Sequence, residues 1–416
     1  MNLFEVSHSC LSEIIYKKIP FKLAIENTCS KYTIFPEIRK KLNGVVGCSL
    51  RHFYVFNYLI SLLKKDFNDE QKVALYLFAA NELFISTFSS GEMNEVLTKL
   101  EISENDLNLF KEKCKDRTKL IPEELSKDSI EYLHYRYNVP SWILKMWIKH
   151  YKGYTYKIVK AINKPSNWYA IANNNLISQE EVLDKYKDFE ETSFKGLYLY
   201  KGNVAPSRHS AFKKKQMVRI CPALFEILNK LDLDVFRKIA IYSEVDEPIY
   251  LQISALLDNK YTGDIMCGNS ESYFSAKKNL KDFSLPNVNL YEARHSSIIT
   301  CLSEKAHHFF VIPQSTNFSE FRKSPDYFNR IEQDKLDEII QNQKEALLDA
   351  ADYVEDGGNL IYLIPTMNKK ESLQVVEHFL NNRQDFKLVE QTQFLPFDKF
   401  DSTLFVAIFA KEVSHD

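Results

Sequence analysis

The sequence predicts a multidomain protein. An all-α region comes first, then a small α/β module, then a Rossmann-like α/β domain with a mainly parallel sheet. Three observations carry this. Through residues 1–125 apolar residues recur at helical spacing, with no competing strand alternation. From about Lys160 to Arg219 short apolar runs alternate with turn signals. From Cys221 onward strand-like and helix-like segments alternate, the pattern of a doubly wound sheet. The expected domains are residues 1–128, 129–225 and 226–416, and 416 residues give each one enough chain for a core.

In the first region, Leu50–Lys65 and Asp69–Phe88 carry the helical periodicity. Asn68-Asp69-Glu70 reads as a helix start, because a short polar side chain can accept the N–H groups that a first turn leaves unpaired. Ser89-Ser90-Gly91 reads as a stop, and a second helical start is expected after Leu120-Ile121-Pro122. Ser129–His150 reads as a helix broken at Asn138-Val139-Pro140, with Trp142 and Trp147 expected on its core side. In the middle module the strand-like runs are Trp168–Ala172 and Gly196–Tyr200. Beyond it, strands are expected over Arg237–Tyr242, Gly263–Cys267, Val288–Tyr291, Phe309–Ile312, Asn359–Ile364 and Leu404–Phe409. Helices are expected over Ser270–Lys281, Asp334–Tyr353 and Lys370–Asn382.

Charge is balanced over the whole chain, 54 basic against 56 acidic residues, and does not by itself mark a nucleic-acid binder. Its distribution is uneven. Residues 126–225 hold 17 Lys/Arg and 8 Asp/Glu, a local net of +9. That is either a footprint for RNA or a solvated charged surface. The seven cysteines form no C-x-x-C pair, which argues against structural zinc and a disulfide framework, and no metal is expected. No stretch reaches the ~18 apolar residues of a membrane span, and the first residues lack a basic run leading into an apolar one. A cytoplasmic monomer with no membrane partner is expected.

Three stretches point further. The first, Gly44–Leu63, opens Gly44-Val45-Val46-Gly47-Cys48-Ser49-Leu50-Arg51, with Asp69–Ile85 following it. The second is Tyr132–Asn173, with Arg136-Tyr137-Asn138-Val139-Pro140-Ser141-Trp142 and the run from Asn163 to Asn173. The third holds Ser324-Pro325-Asp326, Gln343, Leu347-Leu348-Asp349-Ala350-Ala351 and Gly357-Gly358-Asn359-Leu360-Ile361-Tyr362. In this order and spacing they resemble the RsmB/Sun family of ribosomal RNA cytosine-5 methyltransferases. The resemblance implies a NusB-like helical domain, an RRM-like middle module and a Rossmann-like S-adenosylmethionine-dependent methyltransferase domain.

That chemistry needs a cysteine thiolate to add to carbon 6 of cytosine, which activates carbon 5 toward the methyl group. A second cysteine helps release the product. The family's cofactor loop reads D-x-C-A-A-P-G-G-K-T. The aligned residues here run from Ile241 to Tyr250, with Ser243 among them and Glu247 and Pro248 at the double-glycine positions. Side chains there are expected to fill the space of the methionine moiety, in a loop made acidic by Glu244, Asp246 and Glu247. Gly268 stands where an acidic ribose contact is expected. Arg294 stands near the adenine contact, although a shifted register brings in Glu292. In the family's D-A-P-C segment aspartate becomes Val311 and cysteine becomes Gln314, and Pro365 takes the place of the nucleophile. Cys267 and Cys301 fall at neither catalytic position and are expected to be structural. The resemblance therefore implies a degenerate member in which no cofactor is expected.

RNA binding uses other residues and can outlive catalysis. Arg208, Lys213, Lys214, Lys215 and Arg219 form a basic run around Phe212, with Tyr198 and Tyr200 nearby as candidate stacking rings. The expected function is binding of ribosomal RNA without methylation. The alternatives are a divergent active methyltransferase, and a protein–protein module docking through the NusB-like domain.

Overall fold

The computed structural model describes residues 2–245, 247–258, 260–285 and 287–413. Asp246, counted above with the acidic loop, lies outside the described residues. The chain forms two compact units. One comprises residues 1–165 with 320–332, the other 166–319 with 333–416.

The first unit is helical: α1 (Leu3–Tyr16), α2 (Phe21–Tyr32), α3 (Pro36–Arg51), α4 (Phe53–Ser61), α5 (Asp69–Leu83), α6 (Ser90–Lys99), α7 (Glu104–Lys113), α8 (Ile130–Tyr137), α9 (Ser141–Tyr151) and α10 (Thr155–Ile162). Helix α5 is its axis. Every side chain from Val73 to Ala80 is buried, as suits a helix apolar all round. Asn68 starts it as expected, in a reciprocal capping box with Gln71. Ser89 does the opposite of what was expected. It caps α6 and exchanges hydrogen bonds with Glu92, so the serines open a helix as well as follow one. No helix follows Pro122, where residues 121–129 form turns until Ser129 caps α8.

The expected helix over Leu50–Lys65 is interrupted at His52, between α3 and α4. Asn138 mends the break. Held in the left-handed region (φ 54°) at the end of α8, its side chain donates to Leu50 O (2.9 Å) and accepts from Tyr54 N (3.1 Å). Two backbone groups that the interruption would otherwise strand are thereby paired.

Residues 320–332 return from the C-terminal half of the sequence to complete this unit. Buried Asp326 accepts from Phe21 N (3.0 Å) at the start of α2 and from Arg330 Nε. Lys18 Nζ donates to Asn329 O (2.8 Å), and Arg322 donates to Ala161 O (3.1 Å).

The second unit holds two sheets. The smaller is antiparallel, in the order β2-β3-β1-β4, from β1 (Trp168–Ala172), β2 (Phe189–Glu191), β3 (Leu197–Tyr200) and β4 (Met217–Arg219), with α11 (Gln179–Lys185) between β1 and β2. The larger has seven strands in the order β10-β11-β9-β8-β5-β6-β7. They are β5 (Ile239–Ser243), β6 (Gly263–Cys267), β7 (Val288–Glu292), β8 (Ala306–Ile312), β9 (Val354–Ile364), β10 (Phe386–Phe394) and β11 (Leu404–Lys411). Strands β5 to β9 pair in parallel, and β11 runs antiparallel to both β9 and β10. Its helices include α12 (Pro222–Lys230), α13 (Ile249–Leu256), α14 (Ser270–Asp282), α15 (Leu336–Ala351) and α16 (Leu373–Asn382).

Strand β9 begins five residues earlier than expected, because Gly357 and Gly358 sit in a bulge inside it. Gly357 has φ +76°, and a Cβ on Gly358 would lie 2.7 Å from His307 O. Apolar cores cover both faces of the larger sheet.

Candidate functional site

In an open parallel sheet, ligands lie beyond the carboxyl ends of the strands where the strand order reverses. Here the reversal is at β5, whose neighbours are β8 and β6. The residue just past β5 is Glu244, and its side chain occupies that crevice. Its carboxylate accepts from Tyr242 Oη (2.8 Å), from Gln314 N beyond β8 (2.8 Å) and from Asn342 Nδ2 on α15 (2.7 Å). Asn269 Nδ2 donates to its backbone oxygen (2.8 Å). A Cβ on Gly268 would lie 2.6 Å from Glu244 Cγ, so glycine beyond β6 makes room for this carboxylate. Behind Asn342 stands His295, whose ring nitrogens face Asn342 Oδ1 (3.1 Å) and Asp349 Oδ2 (2.6 Å).

Exposed Glu247 has Gln252 Nε2 of α13 3.4 Å from its carboxylate, and Pro248 stands at the start of that helix. Ser243 folds its hydroxyl back onto Val245 O (2.7 Å). A cavity of about 10 Å³, lined by Ser243, Val245, Glu247 and Cys267 among others, has room for one water. Glu292 is the last residue of β7, as the shifted register allows, and Ser270 Oγ donates to it. Arg294 follows, exposed.

The two strand ends that carry the family's thiols lie side by side, since β8 pairs with β9. Val311 is buried within β8, opposite Tyr242 and Tyr362. Gln314 follows β8, and Pro365 follows β9 directly. Sequence reasoning missed the group that joins them. Glu371, fully buried, accepts from Thr316 N (2.8 Å), Thr316 Oγ1 (2.7 Å), Thr366 Oγ1 (2.7 Å) and Gln343 Nε2 (3.2 Å). Gln343 also donates to Gln314 O (2.9 Å). The seven cysteines are free thiols and none lies on these two loops. Burial pushes Cys221 up to about 11, which keeps it a thiol rather than a thiolate. Cys267 is buried at the end of β6, and Cys301 is half-buried.

Of the basic run, Arg208, Lys213 and Lys214 are exposed and make no ion pair among the described residues. Lys215 is engaged within its unit, 3.6 Å from Asp282 and 5.1 Å above the Phe283 ring. The Arg219 guanidinium lies 4.4 Å above the Trp168 ring. Tyr198 and Tyr200 are not free rings. Both are buried, and their hydroxyls donate to Gln179 O (2.9 Å) and Val204 O (2.7 Å). The smaller sheet is covered on both faces. Ala170, Ala172 and Tyr198 pack into the module's own core, while Ile171, Leu197 and Val218 join the core of α12 and α13.

Five parallel strands, an antiparallel β11 between β9 and β10, and a strand-end crevice at β5 define a Rossmann-like domain of the methyltransferase type. Residues 275–404 match the family model of the 16S rRNA methyltransferase RsmB/F. A crystal structure of PH0851 is similar over 99% of this chain and 98% of that one, with 18% identity and a TM-score of 0.74. A methyltransferase homolog protein from Pyrococcus horikoshii matches at 14% identity and a TM-score of 0.59, over 69% of this chain and 100% of that one. NSun6 from Pyrococcus horikoshii, solved with SFG, matches at 14% and 0.59, over 67% and 100%. At these identities the solved structures establish a shared fold. No curated protein matches.

The family match overturns the expectation of no cofactor: the family is S-adenosylmethionine-dependent, and S-adenosylmethionine is its cofactor. Glu244, held by its three donors, stands at the strand-end crevice where such a cofactor would lie.

Proposed function

We propose that this protein binds ribosomal RNA and does not carry out cysteine-dependent methylation. The observation that carries the reading is the pair of strand ends after β8 and β9. Gln314 and Pro365 stand there without a thiol, and buried Glu371 ties the two loops together. Neither a glutamine amide nor a proline ring can supply the nucleophile that activates cytosine. RNA contact falls to Arg208, Lys213, Lys214 and Arg219, with Lys215 held in reserve by Asp282. The reading divides the chain into a NusB-like helical domain over 1–128, an RRM-like module over 129–225 and the methyltransferase domain over 226–416.

The test uses the full chain, small-subunit ribosomal RNA and S-adenosylmethionine tritiated in its methyl group. The expected outcome is salt-dependent RNA retention with no tritium transferred. Transfer of label to cytosine overturns the reading. It would favour the second one, a divergent active methyltransferase, for which Glu292 at the end of β7 is the supporting observation. RNA retention that does not weaken with salt would remove the phosphate contacts from the argument.

A further inference from the structure

Between Glu131 and Glu180 the chain carries no aspartate or glutamate. The same stretch holds Arg136 and six lysines: Lys145, Lys149, Lys152, Lys157, Lys160 and Lys164. The fold decides what becomes of them. Their apolar neighbours Ile143, Leu144 and Trp147 of α9, and Ile158, Val159 and Ile162 of α10, are buried in the first unit. All six lysines are exposed. Their spacing is helical. Lys145 and Lys149 succeed one another on one side of α9, Lys152 follows at its C-terminal end, and Lys157 and Lys160 lie on one side of α10 with Lys164 just beyond it. The two helices pack together, and the turn between them carries Tyr154, 54% exposed, with Lys157 Nζ 5.3 Å from the centre of its ring. Tyr156, 37% exposed, follows.

We propose that the outer faces of α9 and α10 form a phosphate-binding surface for RNA with unpaired bases, separate from the basic run of residues 208–219. Lysines with no carboxylate nearby in sequence attract a polyanion, and exposed tyrosine rings between them offer stacking faces to unpaired bases. A lipid surface fits less well, because the apolar sides of both helices are already buried and no greasy face is left to insert. The inference shares its ligand class with the RNA-binding reading above, but not its residues.

The test is binding of the full chain to a labelled single-stranded RNA of about 30 nucleotides across a salt series. The variant K145A/K149A/K152A/K160A/K164A is compared with the wild type, with the same five positions changed to arginine, and with K213A/K214A. If all five lysines meet phosphates, the logarithmic salt slope falls by about 3.5 in the alanine variant. The arginine variant keeps the wild-type slope. A correctly folded alanine variant with unchanged affinity and slope overturns the inference, and if K213A/K214A alone weakens binding, the reading of the middle module stands without it. If the five-lysine variant alone weakens binding, the inference stands and that reading loses its residues. A wild-type chain that binds no RNA overturns both. Lysine-dependent sedimentation with phosphatidylserine vesicles, with RNA affinity unaffected by the alanine changes, overturns it in favour of a membrane.

Discussion

Two side chains carry testable consequences of their own. Glu244 holds the crevice with three donors, and a hydrogen bond to a charged group contributes about 1.5–3 kcal/mol. Glu244→Ala removes the competitor for that space. Titration calorimetry with S-adenosylmethionine is expected to show binding at least about tenfold tighter than in the wild type. Weaker binding in the variant would make Glu244 a ligand contact instead of an occluder. His308, 1% exposed on β8, is pushed down from 6.5 to about 4, first by burial and then by the neighbouring His307. Because the folded value lies below the ordinary one, the unfolded chain takes up the proton first. This contribution to stability is whole above pH 6.5 and is lost as pH falls through about 4, an acid sensitivity of at most about 3 kcal/mol. Denaturant melts of His308→Asn should be flatter across that window, and an unchanged pH profile would remove His308 from the account. Glu244 was legible only as one acid in an acidic loop. Its role depends on Gln314 and Asn342, 70 and 98 residues away, which meet it only after the sheet forms.

The elements differ in how far their sequence announces them. Strand β6 has the expected bounds, because a short apolar run lies between turn signals. Helix α13 was missed because Ile249–Ala255 is buried on every side, so no periodicity remains to read. Strand β10 was missed for the opposite reason: Phe386–Phe394 is largely polar, and it is its pairing with β11 that makes it a strand. Gln314 and Pro365 were legible only through the resemblance, as the residues standing where the family's two thiols are expected. The connection between their loops was not, since Glu371 belongs to a polar stretch before α16 with no signature of burial. Glu371→Ala leaves Thr316 N–H and two threonine hydroxyls without their acceptor. A loss of about 3 kcal/mol in denaturant stability is expected. A loss under about 0.5 kcal/mol would mean that the two loops hold their positions without it.

At the scale of the whole molecule, the broad plan was legible: helices first, then a Rossmann-like α/β domain. What composition could not reveal is that 13 residues of the later sequence belong with the first unit. Pro325 and Asp326 were noted for their place in a motif, yet Asp326 packs at the start of α2. A fragment ending at residue 165 therefore lacks a buried partner of Phe21 N and the contacts of Lys18 and Ala161. Hydrogen exchange at the first turn of α2 should be faster in that fragment than in the full chain, and equal rates would show that the returning segment is dispensable. The same topology sets an order of events during synthesis. A ribosome that has released residues 1–165 has made most of the helical unit but not its last piece, and more than 150 further residues must emerge before Asp326 can reach α2. Until then the nascent helical unit is open at one seam, and the time it stays open is set by the speed of translation.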